Sequence, residues 1–174
     1  MQYITGSLPF LTIEVFRYLI NLALNTKQID AILRGNIYTK NFYYTTMPTC
    51  RAVNLPKRQQ FGFITNVDHH SRGGSHWTGW FSRSGHVYFF DSFGRSPTDP
   101  SFPHVYRDIL LNFKSFSYFD KQIQSTGSYT CGYFCIHFIL HFCLGLDMKS
   151  LKSDYSDNTQ ENDIIVLEII KSII

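Results

Sequence analysis

Ile13, Phe16, Leu19, Ile20, Ala23 and Leu24 recur at the three- and four-residue spacing of one helix face, behind Thr12 as a candidate cap. The pattern predicts an amphipathic first helix whose apolar stripe needs a partner surface. A second short helix, Lys27–Arg34, follows Asn25 and Thr26 and stops at Gly35. The aromatic run Asn41–Thr46 and a proline-containing loop lead to Phe61–Asn66, whose β-rich, partly alternating composition predicts a strand, and His69–Gly74 is polar loop. Two further β-rich runs, His76–Phe81 and His86–Asp91, flank SRSG and predict a hairpin. Phe93–Pro103 is a Gly/Pro-punctuated loop, Val105–Phe113 a short helix and Phe116–Ile123 another strand. From Cys131 to Cys143 nearly every position is apolar, the pattern of a helix buried on all sides, with Gly145 as its stop. Lys149–Glu161 reads as polar loop and Asp163–Ile174 as a last helix capped by Asn162. With no repeat, low-complexity tract or linker, residues 1–174 are expected to form one domain, 1–24 being a helical extension.

The hairpin has a register that can be computed. Pairing Phe81 with His86 holds the sum of paired residue numbers constant, so Trp80 opposes Val87, Thr78 opposes Phe89 and His76 opposes Asp91. His76 and Asp91 then share a face with Cβ atoms roughly 5 Å apart, close enough for a carboxylate to orient an imidazole. A one-residue bulge would destroy this pairing. Trp77 and Trp80 fall on opposite faces, Trp80 on that of His76.

Composition narrows the class. The chain has 174 residues, 44% of them hydrophobic, with 16 Phe and 11 Tyr, enough for one substantial core. A net charge of +3, without any Lys/Arg block, argues against a nucleic-acid patch and allows at most weak DNA binding. The four cysteines match no disulfide framework, which favours a reducing compartment. The apolar stretch Leu8–Leu24 carries Glu14 and Arg17 and lacks a basic leader, so neither signal peptide nor membrane span is expected, and the protein should be soluble.

The chemistry gathers at Cys131. A thiol in the first turn of a helix meets unpaired backbone N–H groups and the positive end of the macrodipole, both of which favour the thiolate. His76 is the candidate base and proton donor, Asp91 the acid that fixes its tautomer, and Gln124, seven residues before the cysteine, an amide able to hold an oxyanion. A zinc reading of Cys131, Cys135, His137, His141 and Cys143 fails on geometry: 131/135 and 137/141 lie on different faces of one rigid helix and cannot wrap an ion tetrahedrally. No metal is expected.

The segments GSHWTGWF, YFFDSFG and QSTGSYTCGYFC resemble those of the adenovirus-type cysteine proteases, the adenains, and more distantly the ubiquitin-like-protein proteases, over roughly Ile37 to Gly145. In that family a His-Trp pair opens one strand, an (E/D)xFG turn ends the next, and a Gln precedes a CG(L/Y)FC helix start. By position these are His76, Asp91, Gln124 and Cys131, and Asn66 in ITNV resembles a further strand end. The resemblance implies an α+β, papain-like cysteine proteinase fold with a mixed central sheet. It also implies a cysteine endopeptidase cutting glycine-containing sites in capsid precursors, located in host nucleus, cytoplasm or virion. Such proteases are encoded by adenovirus-like DNA viruses and capsid-bearing transposons.

The Gln-to-Cys spacing of seven is the adenoviral one. The ubiquitin-like proteases usually have six, with Asp before the cysteine where this chain has Thr130. Alternatives kept open are a protease acting on ubiquitin-like conjugates and an inactive binding module. Three departures matter. The acid is Asp rather than Glu, residues 1–24 are extra, and no cysteine lies between the DSFG turn and Gln124. An activating peptide or DNA, where the resemblance implies one, would therefore act without the family's cofactor disulfide. No cofactor is required by the sequence itself.

Overall fold

The computed structural model describes residues 23–49, 55–68 and 75–174. The expected first helix lies almost wholly outside them. The elements run α1 (Thr26–Gly35), β1 (Tyr43–Pro48), β2 (Gln60–Asn66), β3 (Trp77–Arg83), β4 (His86–Phe90), α2 (Val105–Leu110), β5 (Ser115–Tyr118), α3 (Cys131–Cys143), α4 (Met148–Ser153) and α5 (Thr159–Lys171). The strands form one sheet in the order β1-β2-β3-β4-β5, antiparallel at its centre and parallel at both edges. The fold is thus α+β with a mixed sheet, as expected.

Each face of the sheet buries a different set of side chains, because alternate residues of a strand point opposite ways. On one face Ile64, Phe81 and Phe90 meet α3, which is also packed by Ile29 and Leu33 of α1 and Val166 and Ile170 of α5. Covered by sheet and helices alike, α3 is buried from Phe134 to Phe142, which accounts for its nearly unbroken apolar sequence. Two residues of the sheet opposite it are glycines. A Cβ on Gly79 would lie 2.7 Å from Cδ1 of Phe138, and one on Gly62 2.8 Å from Cδ1 of Ile139, so the helix sits on backbone at these points. On the other face Phe63 stacks on Trp80, while Phe89 and Tyr106 of α2 meet the same indole edge-on. The indole Nε1 donates to Thr65 Oγ1 at 3.0 Å, so this large residue is buried with its polar atom satisfied.

The hairpin differs from the computed register by two residues. Its loop is Ser84–Gly85 alone, both at positive φ (54° and 83°), which makes a two-residue turn of the I′ kind, and Arg83 pairs with His86. Trp80 therefore opposes Phe89, not Val87. A slip of two leaves every side chain on its expected face, since the strand period is two. His76 and Asp91 remain on one face as diagonal neighbours beyond the end of the ladder.

Five other expectations need correction. Tyr43–Pro48, left without a regular element, is an edge strand, and the Phe116–Ile123 strand shrinks to Ser115–Tyr118. Helix α2 ends at Leu110 rather than Phe113. The supposed loop from Lys149 contains α4, whose cap Asp147 and its partner Ser150 form a capping box. The last helix starts at Thr159 with Asn158 as cap, which puts Asn162 and Asp163 inside its first turns.

The close approach of α3 can be tested by filling it. Gly79→Ala should cost about 1–3 kcal/mol of stability by forcing Phe138 off its site. Urea unfolding measures it, and Gly127→Ala is not a comparable control, because Gly127 has positive φ.

Candidate active site

Cys131 is the first residue of α3 and is almost fully buried, at the floor of a cleft of about 1090 Å³. His76, Trp77, Phe93, Gln124 and Tyr129 line the same cleft. The indole of Trp77 donates to the Leu24 carbonyl at 2.9 Å, which places the chain entering α1 along one wall. Three of the four sequence-predicted site residues, His76, Gln124 and Cys131, thus line one cleft, and the fourth, Asp91, joins them through His76.

His76 Nε2 lies 2.5 Å from Asp91 Oδ1. With that nitrogen committed to the acid, Nδ1 is the one left for the Cys131 sulfur. The ring stacks obliquely on Phe93, centroids 5.2 Å apart. Burial is the largest influence on His76 and disfavours its charge, but hydrogen bonds to Asp91 and Cys131 outweigh burial and push its pKa up to about 9. An imidazolium at neutral pH is what a cysteine nucleophile needs beside it.

Asp91 is wholly buried, and a buried carboxylate is costly unless fully paired. Sequence reading missed its second partner, Arg95, whose Nε donates to Oδ2 at 2.7 Å and whose backbone N–H reaches the same oxygen at 3.2 Å. The turn closed by the Gly94 N–H on the Asp91 carbonyl folds the arginine back, and Phe102 lies beneath its guanidinium, 4.5 Å to the ring centroid. Burial again acts most strongly, raising the Asp91 pKa, yet the His76 and Arg95 hydrogen bonds hold it below the usual carboxylate range.

Gln124 is also buried, and its amide is oriented by two bonds. Ser92 Oγ donates to Oε1 at 2.6 Å, and Nε2 donates to the Ser128 carbonyl at 2.9 Å, leaving its second N–H uncommitted. Ser92, next to Asp91 in the same turn, was not singled out from the sequence. Nor was Asp163 of α5, which accepts from Thr130 Oγ1 (2.5 Å), Ser128 Oγ (3.2 Å) and the Ser125 backbone N–H and hydroxyl, so it clasps the loop between Gln124 and Cys131. Asn66, noted only as a strand end, lines the cleft with an Nδ2 that has no hydrogen-bond partner among the described residues. A Ser/Asp contact 35 or more residues apart carries no local signal, whereas Asn66 at a buried strand end could have been weighed as a donor.

The chain has the papain-like cysteine protease fold. Solved structures with that likeness include the ASFV pS273R protease (TM-score 0.55, 11% identity, 83% of this chain and 66% of that one) and the SUMO protease Ulp1 (TM-score 0.52, 16% identity, 94% of this chain and 84% of that one). This chain therefore spans just under two thirds of the ASFV protease's length. No family model and no curated protein matches the sequence. Among the described residues no helix is long and apolar enough to cross a membrane.

Because its folded pKa is raised, His76 contributes stability that is complete below pH 6.5 and is lost as the pH rises through about 9. NMR titration should find its ring protonated at pH 7, and Asp91→Asn should lower that pKa. A midpoint unchanged by Asp91→Asn would refute the pairing.

Proposed function

We propose that this chain is a cysteine endopeptidase that works through a covalent acyl-enzyme. The observation that carries the reading is the convergence, in one cleft, of a helix-start thiol, an imidazole paired with a buried carboxylate, and an oriented amide with a spare N–H. In this mechanism the Cys131 sulfur attacks the scissile carbonyl carbon as thiolate. The oxyanion takes hydrogen bonds from Gln124 Nε2 and the backbone N–H of Cys131. The C–N bond breaks as His76 gives its proton to the leaving amine, and the neutral ring then takes a proton from the water that hydrolyses the thioester. Asp91 keeps the ring in register and offsets its charge, with Arg95 as the acid's second partner.

As substrates we propose glycine-containing sites in viral or transposon capsid precursors. The adenain-like motifs and the seven-residue Gln-to-Cys spacing support this choice. Any activating peptide or DNA would bind noncovalently. A second reading, removal of a ubiquitin-like modifier, is favoured by the extent of the Ulp1 likeness, 94% of this chain. Incubation with ubiquitin-like vinyl sulfones beside a glycine-containing peptide library separates them: peptide turnover without labelling supports the first, rapid labelling by a modifier probe the second.

Cys131→Ala should abolish turnover and active-site labelling, while Cys135→Ala, deep in the core with its thiol pKa raised by burial, should leave the labelled site unchanged. Gln124→Ala should lower kcat by about 10²–10³-fold with KM little altered, as loss of an oxyanion donor does. An effect confined to KM in steady-state assays would make Gln124 a substrate-binding residue instead.

A further inference from the structure

Away from the cleft, at the far end of α3, His137 and His141 face a carboxylate that sequence spacing could not have supplied. They stand one helical turn apart on the same face, the spacing at which two imidazoles share a zinc ion. The third group is Asp154, just past α4, and the ligand atoms of the three residues lie within 4.8 Å of one another. His141 Nδ1 is 3.4 Å and His137 Nε2 3.9 Å from Asp154 Oδ2. A tetrahedral ion with bonds near 2.0–2.1 Å separates its ligand atoms by about 3.4 Å, so the first distance already fits and a small side-chain movement closes the others.

The remaining hydrogen bonds prepare both rings to bind. His141 Nε2 lies 3.0 Å from the Asp147 carbonyl, which can only accept, so this nitrogen carries a hydrogen and Nδ1 is the one that offers a lone pair in the neutral ring. In the neutral ring that lone pair faces a carboxylate oxygen, two acceptors that a cation between them would bridge. His137 Nδ1 is 2.6 Å from the Tyr155 hydroxyl, and donation to it leaves Nε2 free toward Asp154. A metal-binding imidazole typically has its other nitrogen fixed in this way. Both rings are buried, while Asp154 is partly exposed and leaves a water-accessible side.

We propose that His137 Nε2, His141 Nδ1 and Asp154 Oδ2 form a site for a divalent transition-metal cation of the zinc class, with water in the open position. This revises the expectation of no metal. The earlier geometric objection holds for ligands drawn from one helix, and it falls away once the third comes from the segment after α4. The site is separate from the catalytic one: six residues of helix, about 9 Å of rise, divide His137 from Cys131. Its effect is to pin the end of α3 to the α4–α5 connection, where Tyr155 packs on Phe134 and its carbonyl accepts from Lys121 Nζ.

The test is cobalt(II) titration of chelator-stripped Cys131→Ser protein, which removes the proposed nucleophile as a competing ligand. One equivalent should bind with the d–d absorption of a low-coordinate nitrogen/oxygen site, without a thiolate charge-transfer band, and zinc should displace it. Asp154→Asn, at a partly exposed position, should fold normally and weaken binding at least tenfold, and His141→Gln should remove it. No cobalt uptake, a dominant thiolate band, or unchanged affinity in Asp154→Asn would overturn the proposal.

Discussion

Everything at the cleft depends on how closely α3 lies on the sheet. A helix apolar on every side has no stable place at a surface, so sheet, α1 and α5 must all close over it, and the glycines at 62 and 79 determine how deep it sinks. That depth also sets where the first residue of the helix arrives. Cys131 is carried to the level at which β3 begins and His76 stands. Since misplacement of a reacting group by about 1 Å can cost 10²-fold in rate, the core and the chemistry are under the same geometric constraint.

The second constraint is charge. Asp91 has no access to water, and a lone buried carboxylate would be protonated or would destabilise the fold. Here one oxygen faces His76 and the other Arg95. With the imidazole protonated, the three side chains sum to one positive charge, and a single thiolate at Cys131 would bring the group to neutrality. The DSFGR segment thus supplies three separate services from five residues: the acid, the serine that orients Gln124, and the cation that shares the acid.

Much of this was legible because it is local. The apolar block of α3, the helix at 26–35 and the central hairpin each carry their signal within about 14 residues, and the motifs pointed to His76, Asp91, Gln124 and Cys131. The hairpin register was off by two because Ser84, without being glycine or asparagine, takes a positive φ, yet the side-chain faces survived since two is the strand period. Helix α4 escaped notice for a different reason. Six residues have little intrinsic helicity, and its stability rests on the Asp147 cap and on burial of Leu151, a tertiary effect. Partnerships that span tens of residues, such as Asp163 with the 125–130 loop or Asp154 with the α3 histidines, are set by the packing of helices and leave no trace in a local pattern.

The clasp that Asp163 makes on the segment before Cys131 has a temporal side. α5 is the last of the described elements to leave the ribosome, and until it docks the 125–130 loop lacks the carboxylate that gathers its hydroxyls and backbone N–H. A nascent chain can therefore contain every proposed catalytic side chain while the loop between Gln124 and Cys131 is still untethered. Folding order alone would then delay the gathering of the proposed catalytic groups until α5 has docked.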